Sequence, residues 1–304
     1  MLDSLWLVGY EQEIERCKKL YDDFSDGADY VRSIFNLLDQ YFTKAPGAVD
    51  PAELPISLAE EATDLMRKDQ SLRFRPDLET NLFVDLFNKV CKETVKNNPA
   101  LKLVFKDVND KTGSYFSDKA SLISLDEIDK FRQLLIEETA IENDMATFLF
   151  SIVLSSIYRR QLESIAEVLR TDLYEGGDCP LCGEKPHYGL LRAEDGAKQL
   201  ECWLCGTRWV HTRVKCPYCS SEEREELGYF TIEGQDICRV NYCHSCSCYC
   251  KVFDLRQFSM DGDVVLAIHN LATLTNDLLA GKEGFSPGSG LEWVNQSEVV
   301  EKQD

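Results

Sequence analysis

Eight cysteines in this chain are set out as four C-x2-C pairs: Cys179/Cys182, Cys202/Cys205, Cys216/Cys219 and Cys243/Cys246. Two residues between cysteines allow a tight turn, a knuckle, that aims both sulfurs at one point. Four thiolates converging from two knuckles make a tetrahedral cage that suits Zn2+ or a single iron ion. The residue after the second cysteine keeps the turn unstrained. It is glycine twice (Gly183, Gly206) and serine twice (Ser220, Ser247). Serine is the poorer choice where φ must be positive.

Four knuckles can be paired into two sites in three ways. Consecutive pairing leaves the shortest loops and is the arrangement expected: Cys179, Cys182, Cys202 and Cys205 in one site, Cys216, Cys219, Cys243 and Cys246 in the other. Each site then has four protein ligands and no vacancy for a substrate, which disfavours a metallohydrolase. The sequence also contains no Walker loop, Rossmann glycine pattern, HExxH motif or nucleophile elbow. A purely structural metal accounts for the ligands, because a cysteine-rich segment with few aliphatic residues draws folding free energy from the ion. Iron in the same cage adds redox chemistry, and the ligand type leaves zinc and iron open.

Of the 13 cysteines, five stand outside the knuckles. Cys248 and Cys250 continue Cys246 at period two, so they share a strand face, as small core residues or as a thiol redox or sulfur-transfer pair. Cys17, Cys91 and Cys238 read as packed cysteines. His211 and His244 lie near enough to the knuckles to be substitute ligands, but eight cysteines already complete two sites. His187 and His269 are weaker candidates still.

The elements that position these groups follow from periodicity. Residues 1–173 read as a helical domain: faces carried by Ile14, Cys17, Leu20, Tyr21 and Phe24; by Val31 to Phe42, with a stop at Lys44-Ala45-Pro46-Gly47; by Leu58, Ala62, Leu65 and Met66 after a Pro51–Pro55 loop; and by Leu82 to Val95, ending near Asn97-Asn98-Pro99. Ser124 with Glu127 opens another as a capping box. The longest helix, from about 144 to 173, is apolar nearly all round to Ile157 and central to a bundle. The domain has no histidine and no catalytic constellation. Residues 174–212 form the first four-cysteine module and 213–256 the second, with small strands at Tyr229–Ile232 and Val252–Phe253. A helix from Asp263 to Leu279, stopped by Gly281, lies within 257–285, and 286–304 reads as a flexible tail.

With 304 residues, 33 Lys+Arg and 53 Asp+Glu, the chain has a net charge of −20. Such a surface repels phosphates and anionic headgroups, so nucleic acid and membrane insertion are poor expectations. Arg208, Arg213 and Lys215 form a small basic island around Trp209, better suited to an acidic protein loop than to a nucleic-acid backbone. The N-terminus shows neither a basic nor an apolar signal region, and clustered thiols suit a reducing compartment. A cytoplasmic location is the expectation.

The run Cys202-Trp-Leu-Cys-Gly-Thr-Arg-Trp209, continued by Arg213-Val-Lys-Cys216-Pro-Tyr-Cys219, resembles the central signature of the formate dehydrogenase accessory proteins, the FdhE family. Cys179-Pro-Leu-Cys-Gly with Pro186, Cys243-His-Ser-Cys246 leading to Tyr249 and Lys251, and the stretch Asn270 to Phe285 are also similar. The motifs cover about residues 179–285. The resemblance implies a helical domain followed by two tandem rubredoxin-like, zinc-ribbon-like modules and a C-terminal helix. It also implies a non-enzymatic, cytoplasmic assembly factor that contacts the catalytic subunit of respiratory formate dehydrogenase during maturation. Two mononuclear ions, iron favoured over zinc, would be held by the eight knuckle cysteines. Cys248 and Cys250 depart from the pattern.

Overall fold

Apolar residues at helical spacing place nine helices among the described residues, which are 7–44, 56–257 and 264–288 of a computed structural model. The first half holds α1 (Tyr10–Leu20), α2 (Ser25–Lys44), α3 (Ile56–Met66), α4 (Thr80–Asn97), α5 (Lys102–Phe116), α6 (Leu125–Glu138) and α7 (Asn143–Val168). Two short strands, β1 (Leu78–Glu79) and β2 (Leu122–Ile123), pair between them. The Pro51–Pro55 loop, residues 45–47 of the KAPG stop and residues 289–304 of the tail lie outside the described residues.

The first apolar pattern spans two elements. Phe24 belongs to a 3-10 turn at Asp22–Phe24, after the chain leaves α1 through an extended Tyr21. Ser124 caps α6 as its sequence implies, accepting from the Glu127 amide at 3.2 Å. The long helix ends earlier than its periodicity, at Val168, and a 3-10 turn covers Thr171–Leu173. Its apolar first half is buried from Ala146 to Tyr158 on several sides. There Phe150 meets Phe87 at 4.8 Å in an edge-on aromatic pair, an arrangement that adds to simple area burial. Helix α5 has no counterpart in the sequence reading. Its buried face is Phe105, Val108, Thr112 and Phe116, an i, i+3, i+7, i+11 stripe diluted by a threonine.

The cysteine-rich half supplies β3 (Pro186–Leu191), β4 (Lys198–Cys202), β5 (Arg208–Val210), β6 (Leu227–Thr231), β7 (Cys238–Cys243) and β8 (Cys248–Asp254). These join in the order β5-β4-β3-β8-β7-β6, antiparallel within each module. One parallel pairing, β3 with β8, fuses the two modules, with Tyr188 opposite Lys251 and Leu190 opposite Phe253. The short β9 (Ser286–Pro287) pairs with the start of β8.

The C-terminal helical stretch is two helices, α8 (Leu266–Ala272) and α9 (Leu274–Lys282), rather than one. Thr273 separates them because the buried ammonium of Lys251 claims the carbonyls there. It donates to Asn270 O at 2.9 Å, Thr273 O at 3.3 Å and Thr273 Oγ1 at 3.2 Å, and pairs with Asp277 at 2.7 Å. A cation at a helix C-terminus is favourably placed against the dipole. The second helix runs one residue past Gly281, and Gly284, at φ 88°, provides the left-handed step that ends it.

Candidate metal centres

In the first module, two knuckles face each other across the β3–β4 hairpin. Each is closed by the same pair of backbone bonds. The Gly183 amide donates to Cys179 O (3.0 Å) and the Cys179 amide to Glu184 O (2.6 Å). Gly206 donates to Cys202 O (3.2 Å) and Cys202 to Thr207 O (3.0 Å). Both glycines have positive φ, 80° and 73°. The turns bring Cys179 Sγ to 3.5 Å from Cys205 Sγ, and Cys182 Sγ to 3.5 Å from Cys202 Sγ, with all four cysteines buried.

The second module repeats the construction with serine. Ser220 donates to Cys216 O (3.0 Å), Cys216 to Ser221 O (2.9 Å), and Ser220 and Ser247 sit at φ 61° and 55°. The Tyr218 amide points at Cys216 Sγ from 3.4 Å. Cys216 and Cys246 are 3.7 Å apart, as are Cys219 and Cys243. This centre is shallower: Cys219 is exposed and Cys246 half-buried.

Consecutive knuckles therefore pair, and within each centre every sulfur lies within 4.8 Å of the others. A tetrahedron with metal–sulfur bonds of about 2.3 Å has edges of about 3.8 Å. The observed 3.5–3.7 Å contacts fit such an ion. Both groups could hold a metal ion, and the donor set is common to zinc and iron.

Burial and mutual crowding act on the Cys205 thiol in opposite directions. Burial pushes the Cys182 and Cys202 thiols well above the usual range. Burial also opposes a thiolate at Cys205, but bonds from Cys179, Cys182, Cys202 and Thr207 outweigh it and hold that thiol well below the range. Thr207 Oγ1 is 3.2 Å from its sulfur. Crowded thiols of this kind favour a cation in place of their protons.

The helical half grips the first centre directly. Ser71 Oγ donates to Cys179 O (2.7 Å), and the amides of Leu72 and Phe74 donate to Pro180 O and Leu181 O. Arg159 of α7 reaches the buried carboxylate of Glu201 at 2.8 Å and Tyr188 Oη at 3.1 Å, while Arg208 takes the other Glu201 oxygen at 2.7 Å. Arg208 also donates to Val264 O. It is thus committed inside the fold, and the basic island reduces to Arg213 and Lys215. Trp209 is buried and donates to Gly176 O at 2.9 Å.

Among the described residues, no histidine joins either thiol group. His211 Nδ1 is 3.2 Å from Glu175 O, and burial lowers its pKa to about 4. Cys248 and Cys250 are buried, and burial raises both thiols, Cys248 to about 11. Cys17 joins Glu13 and His269 in a third buried group. There His269 Nε2 lies 2.7 Å from Glu13 and Nδ1 lies 2.8 Å from Tyr21 Oη, so both ring nitrogens already bind protein. This group ties α1 to α8. Of the supporting residues, Lys251 entered only as part of the family likeness, and Arg159 and Glu201 escaped sequence reasoning. Their one available signal was a charged residue within an otherwise apolar helix or a short strand. No described helix is long and apolar enough to cross a membrane.

A family model described as the central domain of FdhE matches residues 178–213, the span of the first centre. A Protein FdhE homolog of Aquifex aeolicus is 30% identical over 166 residues, covering 53% of this chain and 58% of that protein. One from Pseudomonas aeruginosa is 34% identical over 116 residues, 35% of this chain and 36% of that protein. The chain thus spans between about a third and three fifths of the length of the curated relatives it matches. The crystal structure of the FdhE protein from Pseudomonas aeruginosa aligns over 94% of both chains with a TM-score of 0.49 and 20% identity. The likeness read from the four knuckles is therefore to the FdhE proteins, and their central domain is matched at the first thiol centre.

Proposed function

We propose that this chain is an accessory factor for the maturation of respiratory formate dehydrogenase. On this reading it acts in the cytoplasm, contacts the catalytic subunit and catalyses no reaction of its own. The observation that carries the reading is the coincidence of the FdhE central-domain match with the first four-thiol centre. Closure of both centres by four cysteines supports an adaptor over a hydrolase, since no ligand position is left for substrate. The eight knuckle cysteines are the proposed ligands of two mononuclear ions. Iron is favoured by family likeness, and zinc serves the same cage. Bound metal would fix the knuckles, and iron would also supply one-electron chemistry. Glu201, Arg159 and the 71–75 segment hold the first knuckles against the helices.

The test is an anaerobic pull-down from the native host under conditions that induce formate dehydrogenase, paired with the Cys202→Ser/Cys205→Ser variant. Capture of the catalytic subunit, with loss of metal and of enzyme maturation in the variant, is expected. Full formate dehydrogenase activity with the first centre demetallated overturns the metal-dependent reading. Absence of the subunit among captured proteins overturns the partner.

A further inference from the structure

In the helical half, a groove of about 560 Å³ runs between α4 and α5. Asn88, Cys91, Lys92 and Val95 of α4 form one wall, spaced i, i+3, i+4 and i+7. Lys102, Phe105, Lys106 and Asn109 of α5 repeat that spacing on the other, so each helix turns one face to the groove. Cys91 and Phe105 are buried, whereas the three lysines are exposed, their apolar stems extending the floor. At a rise of about 1.5 Å per residue, the α5 wall from Lys102 to Gly113 is about 16 Å long, or about three turns of helix.

The charge here is opposite to that of the chain. Residues 80–116 contain six lysines and four acidic residues, in a chain of net charge −20. Three of the six lysines are already paired: Lys89 with Asp85, Lys96 with Glu93 and Lys111 with Glu138. The other three are Lys92, Lys102 and Lys106. All three line the groove, and among the described residues none has an ion-pair or hydrogen-bond partner. Asp107 and Asp110 of α5 lie outside the groove wall, and among the described residues no Asp or Glu lines it. Asn88, in the same wall, has its Oδ1 buried without a donor.

We infer that this groove docks an acidic amphipathic helix of a partner polypeptide. The apolar stripe of that helix lies over Cys91, Val95 and Phe105. Its carboxylates face Lys92 on one flank and Lys102 with Lys106 on the other. Lys102 and Lys106 stand one turn apart, the spacing of glutamates at i and i+4 on a helix laid alongside. A furrow between two neighbouring helices is the seat that a third helix fills in a bundle. The flat surface of a bilayer does not reach a floor set between two helices, and the overall charge of the chain opposes anionic headgroups. Asn88 Oδ1 calls for an N–H or O–H, which a polypeptide side chain supplies and a simple anion does not. The inference stands independently of any role in formate dehydrogenase maturation.

The probe is a blocked, fluorescently labelled peptide of about four helical turns, with leucines on one face and glutamates on both flanks. It is titrated into the metal-loaded full chain and followed by anisotropy. Saturable binding is expected, weakening several-fold as salt rises from about 0.05 to about 0.5 M. A peptide of the same composition with its leucines scattered around the helix should bind at least about tenfold more weakly. Lys102→Glu/Lys106→Glu should weaken binding at least about tenfold, whereas Lys68→Glu/Lys130→Glu, the same charge change outside the groove wall, should leave it unaltered. Gly113→Trp gives a second variant: a Cβ there meets nothing within 4 Å, so the helix accepts the side chain while the indole obstructs the end of the groove. It too should weaken binding at least about tenfold, with metal content and helicity unchanged. No saturable binding by the wild type, equal affinity for the scattered peptide, or full affinity in both groove variants overturns the inference. Phosphatidylglycerol vesicles bound in place of the peptide, or a wild-type dimer that Lys102→Glu/Lys106→Glu dissociates without any peptide binding, assigns the groove to a lipid surface or to a second copy and overturns it too.

Discussion

The guanidinium of Arg159 and the carboxylate of Glu201 meet at 2.8 Å, joining the longest helix of the first half to the strand that ends in Cys202. Burial works against the Glu201 charge, yet Arg208 and Arg159 together hold its carboxyl below the usual range. Removing Arg159 by Arg159→Met takes away one of the two guanidinium groups that hold Glu201. The expected loss is about 3 kcal/mol, the lower end for a broken buried pair, read as a shifted denaturant midpoint. A carboxyl with a lowered folded pKa contributes its stability fully above its unfolded value. That contribution is lost as pH falls through the folded value. Wild type should therefore lose stability progressively below about pH 4.3, and Glu201→Gln should lack that part of the acid dependence.

Knuckle backbone strain gives a second prediction. Ser220 and Ser247 occupy left-handed conformations at φ 61° and 55°. Glycine there removes about 1–2 kcal/mol of strain and returns about 0.5–1 kcal/mol of entropy. Each Ser→Gly change should raise the Tm of the metal-loaded protein by up to about 4 °C in calorimetry. Gly206→Ala should do the reverse by about 2 kcal/mol or more, since a Cβ there would sit 2.4 Å from the Arg159 guanidinium as well as at positive φ.

Metal loss should occur in order. The first centre is wholly buried, whereas Cys219 of the second is exposed. A chelator competition followed by metal release should be biphasic, with the second centre emptying about tenfold faster or more. The Cys202→Ser/Cys205→Ser variant should retain only the fast phase.

Thiol reactivity provides the fourth test. With Cys248 held near pKa 11 by burial, alkylation of the metal-loaded protein should be slow at neutral pH. Mass spectrometry should show its rate rising about tenfold per pH unit between pH 8 and 10. Rapid labelling at neutral pH would favour a redox or sulfur-transfer role for Cys248 and Cys250.

The ligand set was the most legible part of the chain, because a knuckle is a local object and its spacing encodes its geometry. Even the backbone demand on Ser220 and Ser247 could be anticipated from the glycines at the equivalent positions. What stayed hidden depends on groups distant in sequence. Lys251 breaks the last helical stretch at Thr273 from more than twenty residues away, and nothing in the local periodicity records that. Cys248/Cys250 and Val252–Phe253 marked β8 as a strand, but all of it is buried, including Lys251 and Asp254, so the alternation that would show a wet face is lacking. The partners of Asp254 are Arg239 and Arg256. Helix α5 was missed because Thr112 interrupts its apolar stripe.

The parallel register of β3 against β8 sets an order of events for a chain emerging from the ribosome. The first module can close its knuckles once Thr207 is made, but the β3 edge stays unpaired until residues 251–254 arrive. During that interval a strand with buried Leu190 and Leu191 offers free backbone groups to any neighbour. Chains truncated after the first module should therefore bind metal and still self-associate. The last strand of the second module serves as the edge guard of the first.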